Sequence, residues 1–407
     1  MSDVALDAVY DAVVVGGGPA GATAAHELAK RGRRVLLLDR AGRVKPCGGA
    51  VPPQLLVDFD VPRSALVAEI ASARMVSPRG RAVDIPVGDG FVGMVDRGHF
   101  DEWLRARAAA FGAERVTGRY ERLTRDPDGT AVVWYREGPS RAGALRAARA
   151  RFVVGADGAL SAVARQEIPG AGRMRHVTAY HEIVERPEGA AAGAAYDDAR
   201  CDVYYQGRLS PDFYAWVFPH GPVCSVGTGT FRQGFDLRGA VAALRETAGL
   251  AGARTLKREG APIPLTPLRR WDNGRDVVVT GDAAGLVAPA SGEGIFYAMT
   301  GGRRAAEAVE EAIRAPSPRA RAAALAGARR RFMREHGAVF FVLDVMQRFW
   351  YRGDGRRERF VAICRDVDVQ RLTFDAYMRK RLVRAKPLSH ARIFVKNLAH
   401  LSGLAAT

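Results

Sequence analysis

The residues with the most legible chemistry in this chain are three glycines and an acid. Gly16-Gly17-Gly18-Pro19-Ala20-Gly21 fits the G-x-G-x-x-G spacing through Gly16, Gly18 and Gly21, and Asp39 follows eighteen residues after the last of them. Each position has a physical task. Gly16 makes a tight turn, Gly18 has no Cβ and lets a pyrophosphate approach the backbone, and Gly21 lets a helix pack close to a strand. The amides at that helix's N-terminus then point at the phosphates. Asp39 can accept hydrogen bonds from both hydroxyls of an adenosine ribose.

The surrounding elements have the order these tasks require. Val9 to Val15 is a β-branched run ending in glycine, which reads as a buried parallel strand. Ala20 to Lys30 reads as a helix ended at Arg31-Gly32, and Arg33 to Asp39 as a second strand with the acid at its end. Strand, turn, helix, strand and acid occupy about 30 residues, which favours a dinucleotide site over a glycine-rich turn in an ordinary α/β protein. One fingerprint does not choose between FAD and NAD(P). Two later strands carry glycine and acid together: Arg151 to Gly158, ending in Ala156-Asp157-Gly158, and Asp276 to Asp282, ending in Gly281-Asp282. A glycine- and proline-rich loop from Ala283 to Ile295 follows and opens into a helix expected from about Gly294 to Arg314.

Together, the fingerprint, the central Ala-Asp-Gly and the late Gly-Asp-Ala loop resemble the flavoprotein fold shared by p-hydroxybenzoate hydroxylase and the geranylgeranyl reductases. The resemblance implies FAD, with Asp282 at its ribityl and pyrophosphate region. Asp96 to Leu104 (DRGHFDEWL) resembles the family's R-x-x-F-D-x-x-L and places Arg97 along the cofactor. The cofactor set so implied is Gly16, Gly18, Ala20, Gly21, Asp39, Arg40, Gly48, Gly49, Arg97, Asp157, Gly158, Asp282, Gly292, Gly294 and Ile295. Further segments resemble the (bacterio)chlorophyll-type branch of the geranylgeranyl reductases: Lys45 to Pro52 (KPCGGAVP), Phe91 to Arg97 (FVGMVDR), Tyr204-Tyr205-Gln206 and Pro211 to Pro219 (PDFYAWVFP). These motifs span residues 9 to about 300.

The expected fold class is α/β. A Rossmann-like FAD-binding domain of the p-hydroxybenzoate hydroxylase type (1–175 with 270–314) would be joined to an antiparallel-sheet substrate domain (176–269 with parts of 60–100) and a helical, basic C-terminal region (315–407). The implied activity is FAD-dependent hydrogenation of a geranylgeranyl chain to phytyl on (bacterio)chlorophyll a. The alternatives are free geranylgeranyl diphosphate or a prenylated lipid as substrate, a flavin aromatic hydroxylase, or a non-catalytic flavin scaffold. NADPH carries over from the family as electron donor. With no second fingerprint in the chain, it would bind transiently at the flavin.

The residues themselves suit an apolar substrate. Tyr214, Trp216 and Phe218 alternate at period two and so face one side of a strand, with Tyr204 on a neighbouring run. Aromatic rings facing a cavity suit a polyprenyl chain, which offers only dispersion and area burial; the competing reading is a sheet–helix core. Isolated double bonds have no carbonyl to take up charge, so hydride from reduced flavin must be coupled to a proton donor in a site that excludes water. The candidates are Cys47, Tyr214, Tyr297 and His220, with Cys47 favoured and His220 expected to be structural or exposed. Cys47, Tyr214 and Trp216 are the expected catalytic set.

Composition narrows the partners. The formal charge is +17, with 61 Lys and Arg against 44 Asp and Glu. From Arg303 to Thr407 there are 23 basic and 10 acidic residues, so most of the excess lies there. Phe332 to Tyr351 is rich in apolar side chains with arginines at its ends, and Arg379, Lys380, Arg381, Arg384, Lys386, Arg392 and Lys396 follow. A basic amphipathic region of this kind is a membrane-surface signal. No helix-turn-helix, zinc or RNP-type pattern supports a nucleic-acid partner. No apolar run reaches the roughly 20 residues that span a bilayer, and the acidic start does not read as a signal peptide. The four scattered cysteines argue against a zinc site or a disulfide framework. The expected location is cytoplasmic, peripheral on the inner or photosynthetic membrane.

Overall fold

A computed structural model describes residues 9–40, 44–88, 90–140, 142–187, 195–370 and 380. The first strand, Val9–Val15, runs parallel to Val35–Asp39 on one side and to Leu145–Gly155 on the other. Val277–Val279 extends the sheet beyond Leu145–Gly155, and Glu114–Arg125 extends it beyond Val35–Asp39. The central strands are buried along their apolar runs, as a parallel sheet covered by helices requires. The two long strands serve twice. Glu114–Thr117 completes the parallel sheet, and Gly118–Arg125 continues into an antiparallel pairing with Ala131–Glu137, which also pairs with Leu145–Ala150.

The fingerprint helix is Pro19–Ala29, and the late helix is Ile295–Ile313. They cross where side chains vanish: a methyl group on Gly302 would lie 2.2 Å from the Ala20 carbonyl oxygen, and one on Gly281 2.6 Å from the Ala20 Cβ. Ala20 is therefore a helix-crossing residue.

A second sheet has seven strands in the order Thr255–Pro264, His176–Glu185, Val223–Thr230, Ala215–His220, Arg200–Tyr204, Ser72–Val76 and Ala82–Pro86. Only the pairing of Arg200–Tyr204 with Ser72–Val76 is parallel. Val203 lies beside Trp216 and Tyr204 beside Ala215. Period-two alternation therefore puts Tyr204 on the face away from Trp216, in a cluster with Val217, Val226, Val241 and Leu244 under the helix Leu237–Thr247. This corrects the expected placement of Tyr204. Tyr205, just past the strand end, packs with Phe213, Tyr214 and Trp216 instead.

The C-terminal part is led by one helix, Pro318–Trp350, whose N-cap Ser317 accepts from the Ala320 N–H at 3.2 Å. Its inner face buries Leu325, Phe332, His336 and Phe340 against Trp271 and Tyr297. Arg334, Ala338, Phe341, Val345, Arg348 and, just past the helix, Arg352 are exposed at helical spacing. The expected single apolar face thus divides: Phe340 faces the core, whereas Phe341 is 68 % exposed and Val345 47 %. A shorter helix, Asp354–Ile363, follows. Among the described residues no helix is long and apolar enough to cross a membrane. The basic residues Arg379, Arg381, Arg384, Lys386, Arg392 and Lys396 lie outside the described residues. Lys380 is described and buried, ion-paired with Glu293.

Candidate functional site

The glycine turn behaves as its spacing requires. Gly16 has φ +104°, and a methyl group there would lie 2.3 Å from the Ala156 carbonyl oxygen. A methyl on Gly21 would lie 1.8 Å from the Gly16 carbonyl oxygen. A methyl on Gly18 would meet no atom within 4 Å. Gly18 is the N-cap of Pro19–Ala29, no side chain caps that end, and the space a Gly18 side chain would enter is open. Asp39 ends the second strand with Gly17 and Arg40 backbone hydrogen bonds on its carboxylate, and burial raises its pKa. Arg105, which the sequence did not single out, lies 3.3 Å from Asp39 and donates to the Gly17 carbonyl at 3.2 Å. An open, uncapped helix N-terminus beside an acid at a strand end fits FAD, and Gly18, the helix amides and Asp39 are the residues that would hold its adenosine and pyrophosphate.

Asp282 lies in the 3-10 turn Gly281–Ala284 and is ion-paired with Lys45. That pair joins the two motif segments, Lys45 to Pro52 and Gly281 to Ile295, across 237 positions. Gly294 is the N-cap of the late helix and Ile295 its first residue, and a methyl on Gly294 would lie 3.9 Å from Asp282 Oδ1. Gly292 has φ +65°, and a methyl there would lie 3.0 Å from the Tyr214 hydroxyl oxygen. Arg97 and Asp157 are engaged within the protein. Arg97 is buried at the start of the helix Arg97–Ala110 and donates through Nε and Nη2 to Asp101, both at 2.8 Å. Asp157 accepts from the Ala162 N–H at 2.6 Å, the Val163 N–H at 3.2 Å and the Ser161 hydroxyl, at the head of the helix Ala162–Glu167. Its burial raises its pKa against these bonds. Gly158, with φ +89°, borders open space.

The Cys47-Gly48-Gly49 turn meets the aromatic strand directly. A methyl on Gly48 would lie 3.1 Å from the Phe218 ring and 4.0 Å from Trp216 Nε1. Gly49 has φ +71°, and a methyl there would lie 2.5 Å from His220 Nε2. His220 is thus buried against the turn, with Nδ1 2.9 Å from the Phe218 carbonyl oxygen, and burial lowers its pKa. Cys47 Sγ accepts from the Gly49 N–H at 3.4 Å and lies close enough to interact with both Arg97 and Tyr214. Tyr214 donates to the Ser291 carbonyl at 2.6 Å, and burial, first of all, pushes its pKa up, so the phenol keeps its proton. Cys47, Tyr214 and Trp216 are therefore gathered at one place. Tyr297 stands apart in a box of Phe296, Phe332, His336 and Phe340.

Trp216 is held by a chain of polar groups. Its Nε1–H donates to Ser225 Oγ at 3.1 Å, and that oxygen lies 2.9 Å from His181 Nδ1. Indole is a donor only, so Ser225 Oγ accepts from Trp216, and its bond with His181 Nδ1 takes the direction the imidazole tautomer sets. His181 Nε2 lies 3.5 Å from the Glu259 carboxylate. Neither His181 nor Ser225 carries a local sequence signal. Lys45 had one, inside the Lys-Pro-Cys-Gly-Gly segment.

Residues 14–54 match the family model of the NAD(P)-binding Rossmann-like domain, and residues 234–386 that of lycopene cyclase protein. The chain is 56 % identical to a geranylgeranyl diphosphate reductase of Rhodobacter capsulatus over 97 % of this chain and 98 % of that one. A geranylgeranyl bacteriochlorophyll reductase-like crystal structure from Thermoplasma acidophilum superposes with TM-score 0.78 at 22 % identity, covering 94 % of this chain and 99 % of that one. A p-nitrophenol 4-monooxygenase from Pseudomonas putida superposes with TM-score 0.69 at 18 % identity, covering 93 % and 99 %. Fold and glycine turn together define the flavoprotein fold of the p-hydroxybenzoate hydroxylase type, with a Rossmann-like unit, a second sheet and a helical C-terminal part. Within that class the chain belongs to the geranylgeranyl reductase family, and it is an oxidoreductase acting on CH–CH bonds.

Proposed function

We propose that this protein hydrogenates the isolated double bonds of a geranylgeranyl chain to give phytyl, with the chain carried as the ester of (bacterio)chlorophyll a, FAD as cofactor and NADPH as electron donor. The observation that carries the reading is the junction of the Cys47-Gly48-Gly49 turn with Tyr214, Trp216 and Phe218. Bound FAD, once reduced, supplies the hydride. The chain's own residues do the rest. The aromatic strand gives a hydrocarbon substrate area and dispersion. Cys47 and Tyr214 hold exchangeable protons next to that surface, with Cys47 as the proton donor. Burial of Trp216, Tyr214 and His220 keeps water from that surface.

The same reading places the enzyme on a membrane. The stripe Arg334, Ala338, Phe341, Val345, Arg348 and Arg352 has apolar side chains at its centre and arginines at both ends. That pattern matches an anionic bilayer surface, into which rings insert while guanidinium groups meet headgroups.

The test is an anaerobic incubation of the holoenzyme with NADPH and either geranylgeranylated bacteriochlorophyll a or geranylgeranyl diphosphate. Gains of two, four and six hydrogens on the pigment ester are expected. Reduction of the free diphosphate alone would transfer the activity to the substrate named for the Rhodobacter relative. Oxygen-dependent hydroxylation of a phenol without any prenyl reduction would remove the reductase reading.

A further inference from the structure

Three non-glycine residues among those described have positive φ: Asp60, Ala290 and Lys380. Two of them meet at one turn. Ala290 has φ +61°, and Lys380 is ion-paired with Glu293 three residues on. Left-handed backbone is disfavoured for any residue with a Cβ, and such conformations persist only where their surroundings enforce them.

For Ala290 the enforcement comes from the long C-terminal helix and the residue after it. Gln347 Oε1 accepts from the Ala290 N–H at 3.2 Å, and the Tyr351 hydroxyl donates to the Ala290 carbonyl at 3.0 Å. The two are one helical turn apart and both are buried. Tyr351 is fixed in its own right. Its carbonyl accepts from Arg357 Nη2 at 2.8 Å, and the fully buried Arg357 also donates to the Ser210 carbonyl at 2.7 Å. The next residue of the turn, Ser291, is held from the opposite side by Tyr214.

We propose that Gln347 and Tyr351 are positioning residues for the reductase. They hold Ala290 left-handed and thereby set the turn Ser291–Gly294 and the N-terminus of Ile295–Ile313 between the flavin and Tyr214. The inference rests on the reading that this turn borders the flavin. Neither residue touches the reacting atoms; both act through the Ala290 backbone.

The test uses the full chain. Gln347→Met, Tyr351→Phe and their combination are compared for FAD affinity, the visible flavin spectrum and apo-protein Tm. Each single change strips one bond from a buried backbone group, and about tenfold weaker FAD with a shifted flavin band is expected. Two rescues separate positioning from packing. Gln347→Glu keeps the acceptor and should stay within about threefold of the parent. Ala290→Gly, placed in the Gln347→Met background, should restore most of the lost affinity, because glycine adopts positive φ freely. Parental FAD affinity and spectrum in the combined variant, with only Tm lowered, would overturn the proposal, as would a further loss on adding Ala290→Gly. Gly18→Val isolates the underlying reading: if it keeps its flavin, that reading falls and the proposal with it. If Gly18→Val loses flavin and the Gln347 and Tyr351 variants do not, the proposal falls alone.

Discussion

Gly18→Ala and Gly21→Ala add the same methyl group three residues apart, and they should fail in opposite ways. At Gly18 the methyl meets no atom within 4 Å and the backbone is already extended (φ −73°, ψ −175°). The poorer N-cap costs a few tenths of a kcal/mol to about 1 kcal/mol, and the loss of unfolded-state freedom returns about 0.4–1 kcal/mol. Apo Tm should therefore move by no more than about 2 °C. The same methyl occupies the space through which a phosphate would reach the first-turn amides. Losing one such charge-assisted hydrogen bond is worth about 1.5–3 kcal/mol, or roughly 10- to 150-fold in FAD affinity. At Gly21 the methyl would sit 1.8 Å from a backbone oxygen that has no rotamer to change. Overpacking of that kind costs about 1–3 kcal/mol or more, so apo Tm should fall by several degrees before any cofactor is added. Thermal melts of apo-protein and quenching of FAD fluorescence on titration read the two effects separately. A Gly18→Ala protein with parental FAD affinity, or a Gly21→Ala protein with parental apo Tm, would refute the assignment of these glycines.

Other substitutions probe the rest of the site. Trp216→Leu should raise KM for the prenyl substrate roughly 5- to 30-fold, equivalent to about 1–2 kcal/mol of lost apolar contact, with FAD affinity unchanged; an unaltered KM returns Trp216 to the core. Cys47→Ala should cut turnover by about two orders of magnitude or more while flavin reduction by NADPH proceeds normally, and a mild effect would leave Cys47 a turn residue. Burial holds the His336 pKa down at about 4. Between about pH 6.5 and 4 the unfolded chain therefore binds the extra proton, and stability present above pH 6.5 is lost as pH falls, by up to about 3 kcal/mol. His336→Phe should flatten that part of the urea-midpoint profile, and an unchanged slope would remove His336 as its source. Phe341→Asp should weaken sedimentation with anionic vesicles about tenfold or more; vesicle binding equal to the parent's contradicts the membrane face.

How far the sequence carried differs by feature, for physical reasons. The fingerprint was legible because its glycines answer local backbone demands that no other residue meets, and Gly16 and Gly21 show those demands as near-collisions. The aromatic strand was legible because alternation is a local rule. Which residue of a neighbouring strand shares that face is not local: the register sets Tyr204 beside Ala215, away from Trp216, and Tyr205 just past the strand end meets the Trp216 face instead. The apolar run Phe340 to Trp350 looked like one face because hydropathy does not record what packs against a helix; Tyr297 claims Phe340 and nothing claims Phe341 among the described residues. The pairs Lys45–Asp282 and Gln347–Ala290 join segments 237 and 57 positions apart, and no spacing within either segment announces them.

The sheet that begins with residue 9 is closed by residues 277–279, and the fingerprint helix rests on a glycine at position 302. A ribosome adding about 5–20 residues per second would take roughly 15 seconds or more to supply the missing pieces. Until then the first helix has one flank uncovered. The nucleotide turn, although written first, becomes a finished shelf only late in synthesis. Chains stopped anywhere before residue 302 should accumulate as material that chaperones hold and proteases clear.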